Sequence, residues 1–274
     1  MTSNTECQTP MTIPQPKTCL TIGGSDSGGA YGIQADLKTW TALGVHGMSA
    51  LTVITAQNSV GVRGAEFVSA EFLALQIDTV LDDYQAHAVK TGMLAKLALV
   101  EVAAAKLENR PNVVIDPVLV NYRGESMFDA AVLDAYRQQL FPLAMLVTPN
   151  YHEAELLAGM SIEGLDSAEI AAKKIHALGP RAVLIKRIRQ NERVIDVMFD
   201  GQTIHHLPAA HIETKNTAGT GDTLSAAITA FLAQGIALQQ AVEKARLYTN
   251  RAIQLAKHWQ LAAGRGPIAH LIRD

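Results

Sequence analysis

Cysteine is almost absent: the 274-residue chain holds two, Cys7 and Cys19. Two cysteines cannot build a disulfide framework, and no Cys/His spacing resembles a zinc site. There is no surplus of positive charge either, since 23 Lys and Arg stand against 26 Asp and Glu for a net charge of −3. That removes the electrostatic footprint of a protein that grips nucleic acid or an anionic membrane. No apolar stretch reaches the roughly 18–20 residues of a membrane span. The first residues carry no basic region followed by an apolar one. With 48% hydrophobic and 18% charged residues the balance is that of a globular chain, long enough for a sizeable core. The expectation is a soluble, cytoplasmic protein.

Residues 1–17 are rich in Thr, Pro and Gln, lack periodicity, and read as a mobile tail ahead of a single domain over 18–274. Short apolar runs then recur at 19–24, 48–56, 88–93, 112–120 and 144–150, as expected of strands buried on both faces. A second group, 182–188, 193–199 and 202–207, surrounds a hairpin. Helical patterns fall between them, at 32–43, 69–83, 96–109, 129–139, 151–158, 167–178, 220–234 and 237–258. The alternation predicts an α/β protein with a mostly parallel sheet covered by helices on both sides, its functional residues beyond the carboxyl ends of the strands.

The stretch Lys215-Asn216-Thr217-Ala218-Gly219-Thr220-Gly221-Asp222-Thr223 precedes a long amphipathic helix. Such a turn aims backbone N–H groups at one point, where the helix dipole adds positive potential, and so makes an anion hole. A carboxylate there, Asp222, is electrostatically costly unless it deprotonates an alcohol during phosphoryl transfer; otherwise it is a helix cap. No Gly-Lys-Ser/Thr follows, so this is not a Walker A loop. A second loop, Gly23 to Gly32, holds five glycines in ten residues but lacks dinucleotide-fingerprint spacing. Asp116 ends a strand. Asn150 and Glu153 could hold a hydrated Mg²⁺, or be a helix cap and its capping-box partner. Gln57 could read a heterocycle edge or merely finish a strand. The nine histidines show no metal spacing.

The segments GGSDSGG with GIQADLKT, then LTVITAQN, KTGML, VIDPV, TPNYHEAE and TKNTAGTGDTLSAAI, follow one another as in hydroxymethylpyrimidine/phosphomethylpyrimidine kinases of the ribokinase-like superfamily. The resemblance covers the chain from about residue 18 onward. It implies a three-layer α/β/α ribokinase-like fold, Mg²⁺ and ATP as cofactor and phosphoryl donor, a hydroxymethyl group on a pyrimidine as acceptor, and a homodimer. Carried over position by position, it implies a substrate pocket at Gly24, Tyr31, Asp36, Gln57 and Met93, and an anion hole at Gly219, Thr220 and Gly221. It also implies nucleotide contacts at Asn150, Lys186, Thr214 and Lys215, and metal and phosphate organisation at Asp116 and Glu153.

Four departures from that family bear on the acceptor. Ala218 and Asp222 stand where H-G-T-G-C is usual, so a carboxylate ionised at neutral pH replaces a thiol that is mostly protonated there. Tyr31 replaces a small residue and could stack on a pyrimidine or fill its space. Lys186-Arg187-Ile188-Arg189 replaces K-G-G-H, and Tyr122-Arg123-Gly124 replaces K-S-G. Arg123 or Arg187 could restore charge at the phosphates, although a surface salt bridge is the commoner fate of a lone arginine. The readings are therefore a pyrimidine kinase, a kinase of pyridoxal or a related hydroxymethyl heterocycle, or a ligand-binding relative without catalysis.

Overall fold

The computed structural model describes residues 15–121, 124–190, 193–270 and 272. Cys7, Tyr122, Arg123 and nearly all of the expected tail lie outside the described residues. Among the described residues nine strands form one sheet: β1 (Thr18–Asp26), β2 (His46–Asn58), β3 (Gly61–Phe67), β4 (Ala88–Thr91), β5 (Val113–Ile115), β6 (Leu146–Val147), β7 (Val183–Gln190), β8 (Arg193–Phe199) and β9 (Ile204–Ala210). Their spatial order is β3-β2-β1-β4-β5-β6-β7-β8-β9. The block from β2 to β7 is parallel, and β3, β8 and β9 join as antiparallel hairpins at the two edges.

The helices are α1 (Gly32–Ala42), α2 (Ala70–Leu81), α3 (Leu97–Leu107), α4 (Ala130–Ala135), α5 (Tyr151–Ala158), α6 (Leu165–His176), α7 (Thr220–Ala233) and α8 (Leu238–Ala256). Strand side chains alternate between the two layers, which is why the strands read as unbroken apolar runs. Val113, Ile115, Val147 and Ile185 pack against α2 to α6, while Val114, Leu146 and Leu184 pack against α7 and α8. Trp40 of α1 is sealed against Ala226 and Ala230 of α7, and its indole N–H donates to the Ala226 carbonyl. No helix among the described residues is long and apolar enough to cross a membrane.

The α/β/α layering agrees with the sequence reading, with two differences. β3 was not expected; all seven of its residues are exposed, so it lacks the alternation that marks a half-buried strand. Its hairpin is set by Asn58, whose side-chain oxygen accepts from the N–H groups of Val60 and Gly61. The expected helix 129–139 stops at Ala135, giving way to a wide turn over Tyr136–Leu140 and a tight one over Phe141–Leu143, where Pro142 has no N–H to donate.

Candidate active site

The glycine-rich loop after β1 folds around one buried carboxylate. Asp26 accepts from the backbone N–H groups of Gly28, Ala30 and Tyr31 at 2.8, 2.9 and 3.0 Å. This presses the loop onto the start of α7, so tightly that a Cβ at Gly219 would lie 1.8 Å from the Ala30 carbonyl oxygen. Gly219 also has φ +78°, so glycine is required there twice over. The same docking brings the Gly32 N–H to the Asp222 carboxylate at 3.0 Å. The first turn of α7 thus presents its amides and helix dipole at Gly219, Thr220 and Gly221, with Asp222 beside them.

Two buried ion pairs lie beneath that turn. Lys90, fully buried on β4, donates to Asp36 at 2.6 Å and stands 4.0 Å from Asp222. The other Asp36 oxygen accepts from Thr21 at 2.6 Å. Burial raises the Asp36 pKa to about 6 against the pull of Lys90. Burial raises Asp222 too, again opposed by Lys90. The second pair joins Lys186 to Asp116 at 2.7 Å. Asp116 also accepts from Ser225 of α7 at 3.0 Å and from Thr148 at 3.2 Å. Burial alone would raise Asp116, but Lys186 and Lys90 hold it below the usual carboxylate range.

Asn150 and Glu153 form the capping box of α5. Glu153 N–H donates to the Asn150 side chain at 3.0 Å, and Asn150 N–H donates to Glu153 at 2.8 Å. Of the two sequence alternatives the capping box is therefore present. Burial, with the Asp116 charge adding to it, still pushes the Glu153 pKa to about 7 despite Lys186. No group of three or more His, Cys, Asp or Glu able to hold a metal by protein ligands alone occurs among the described residues.

An open cleft of about 270 Å³ lies over these pairs. Tyr31, Asn150, Lys186, Arg187, Gly219 to Asp222 and Arg265 line it together with the apolar side chains of Val194, Ala209, Ile212, Leu224 and Ile253. Among the expected site residues, Tyr31, Asn150, Lys186, Gly219, Thr220, Gly221 and Asp222 converge here, with Asp116 and Glu153 behind Lys186. Gly24, Asp36, Gln57 and Met93 do not line this cleft. Gly24 and Met93 adjoin each other beside Val53, since a Cβ on Gly24 would come within 4.0 Å of the Met93 Cβ. Asp36 is sealed, with both oxygens engaged, and Gln57 sits half-buried near the end of β2.

Thr214 and Lys215, expected to contact the nucleotide, do not line this cleft. Thr214 donates to the Lys257 carbonyl and accepts from Asn216 N–H, which turns its hydroxyl into the C-terminal segment, and Lys215 is exposed outside the cleft. Sequence reasoning missed Lys90 and Arg265. A lysine inside the apolar run AVKTGM was a signal for a buried ion pair; Arg265, between two glycines, carried none.

Comparison with known proteins gives a consistent neighbourhood. The family model described as phosphomethylpyrimidine kinase matches residues 26–269. A hydroxymethylpyrimidine/phosphomethylpyrimidine kinase of Rhizobium meliloti is 45% identical over 258 residues, covering 93% of this chain and 97% of that protein. The thiamine biosynthesis bifunctional protein ThiED of Geobacter sulfurreducens is 44% identical over 264 residues, 94% of this chain, and the chain spans 53% of its length. The ADP complex of Bacillus subtilis pyridoxal kinase superposes with a TM-score of 0.85 at 39% identity, covering 93% of this chain and 98% of that one.

Proposed function

The chain belongs to the phosphomethylpyrimidine kinase family, and from that premise we propose a reaction for it. It transfers the γ-phosphoryl group of ATP to the hydroxymethyl oxygen of 4-amino-5-hydroxymethyl-2-methylpyrimidine, and then phosphorylates the monophosphate, in thiamine biosynthesis. The observation that carries this reading is a single ionisable carboxylate, Asp222, in the first turn of α7 beside the Gly219–Gly221 amides. Asp222 takes the hydroxyl proton, the freed oxygen forms the new P–O bond, and the bond to the leaving ADP breaks. The helix amides stabilise charge on the transferring group. Gly32 N–H fixes the carboxylate, and Lys90 opposes the rise that burial gives its pKa.

Asp116 and Glu153 suit a magnesium ion. They are hard oxygen donors buried behind Lys186, which lines the cleft. Mg²⁺ commonly binds through one or two carboxylates plus substrate phosphates. When bound, the ion supplies charge neutralisation at those phosphates. We further propose that residues 18–274 act as one kinase domain and that two copies pair through the β3 edge.

The test is product mass spectrometry after incubation with Mg²⁺-ATP and the hydroxymethylpyrimidine, with pyridoxal in parallel. Pyrimidine mono- and diphosphate are the expected products, and Asp222→Asn should lower turnover by about 10²- to 10⁴-fold while ADP affinity is retained. Near-normal turnover in that variant removes Asp222 from the base role. Tyr31 and the likeness to a pyridoxal kinase favour pyridoxal as a second acceptor. Product from pyridoxal alone would move the assignment there.

A further inference from the structure

Arg187 has φ +65°, a left-handed conformation that a non-glycine residue adopts at a cost of about 1 kcal/mol. It sits in β7 where the register with β8 shifts between Ile185 and Ile188. In a regular strand, consecutive side chains point to opposite faces. The bulge cancels that alternation, so Lys186 and Arg187 line the same cleft. The strained backbone is held from outside: Arg187 N–H donates to Asp196 at 2.8 Å, and Asp196 is fixed by Arg246 at 2.6 Å.

Arg265 reaches the same cleft from the C-terminal segment, and its backbone is pinned as well. Its N–H donates to the Ser59 carbonyl at 3.2 Å, and Gly264 N–H donates to the Ser59 hydroxyl at 3.1 Å. Ala218, just before the anion hole, donates to the Gly266 carbonyl at 3.0 Å. Tyr31 lines the cleft with Arg265, whose positive charge opposes the rise that burial gives the phenol pKa. Neither Arg187 nor Arg265 forms a salt bridge with a carboxylate among the described residues, and the positive charge of Arg265 opposes that of Arg187. Two exposed like charges, one of them on a strained backbone, converge on an open cleft beside an anion hole. That arrangement is unfavourable until a polyanion sits between them.

We propose that Arg187 and Arg265 form a two-sided clamp on the terminal phosphates of the nucleotide donor, with Tyr31 as a positioning residue that holds Arg265 in place. The inference rests on the kinase reading above. A planar fork on each side gives charge-assisted hydrogen bonds to phosphoryl oxygens.

Calorimetric titration of the full chain with ADP and with AMP tests it, alongside thermal unfolding. Arg187→Gly and Arg265→Ala should each weaken ADP binding roughly 10- to 100-fold, the value of hydrogen bonds between charged groups. AMP affinity should change by less than about threefold, because AMP lacks the clamped phosphates. Arg187→Gly should unfold at the same or a higher temperature, since glycine relieves the strain. Tyr31→Phe should weaken ADP less than Arg265→Ala does, and Arg265→Lys should restore part of the loss. Unchanged ADP binding, or equal losses for ADP and AMP, overturns the clamp. Wild-type protein that binds ADP with this discrimination yet makes no pyrimidine phosphate would sink the acceptor assignment and leave the clamp standing; wild-type protein that binds no ADP sinks both.

Discussion

Lys90 shows how one side chain ties the fold to the chemistry. Its ammonium has no exposure to water, and burial alone would favour loss of its proton. Asp36, Asp222 and Asp116 outweigh that and keep it charged. Removing one member of a buried ion pair strands the other, typically at about 3–5 kcal/mol. Lys90→Met should therefore cost about that much in urea unfolding, and adding Asp36→Asn should recover a large part, because the stranded carboxylate is then gone. Additive losses in the double variant would show that the pair is not the unit. The lysine itself stood out in an apolar run, but its partner lies 54 residues away, and nothing local announces that distance. Asp222 and the Gly219–Gly221 turn were readable for the opposite reason, since their chemistry lies in consecutive residues. Arg265 joins the site through a contact with Ser59 more than 200 residues earlier, a pairing that only the folded chain creates.

Among the elements, α5 carries the clearest pH dependence. Its capping box needs Glu153 to accept from Asn150 N–H, and the same carboxylate accepts from Leu119 N–H at 3.4 Å while buried. Burial raises its pKa from 4.5 to about 7. The folded state thus binds a proton more tightly than the unfolded chain, so stability is greatest below about pH 4.5 from this group. It falls as pH rises to about 7 and is level above that. The size is on the order of 3 kcal/mol. Glu153→Gln should keep the cap and flatten this slope in urea unfolding of metal-free protein between pH 4.5 and 8. A slope as steep as that of the wild type would assign the dependence elsewhere. The helices and central strands were predictable because burial on two faces leaves long apolar signatures. β3 and the β7 bulge were not, because an exposed strand and a one-residue slip leave no period to read.

The assembled molecule leaves one sheet edge open. β3 ends the sheet with every residue exposed, and unpaired edge strands are templates for another chain unless they are blunted. Apolar side chains gather on and beside it: Val62 and Phe67 of β3, Ile54 of β2, and Phe72 and Leu75 of α2 are all exposed. The opposite edge, β9, carries His205 and His206 hydrogen-bonded to Asp200 and Glu169, a far more polar face. Scattered exposed apolar residues are ordinary, but five at one sheet edge fit an interface between two copies, for which about 800 Å² per partner is typical. Sedimentation of the wild type should give a mass of two 29.4 kDa chains. Val62→Asp with Phe72→Asp should return it to one chain while its thermal unfolding, measured well below the dissociation constant, stays close to that of dilute wild type. A wild type that sediments as a single chain at every concentration would leave the apolar edge without this partner. If instead the variant dissociates and loses turnover as well, pairing supports the cleft, because β2 leads directly from this edge to Ser59 and thus to the backbone that carries Arg265.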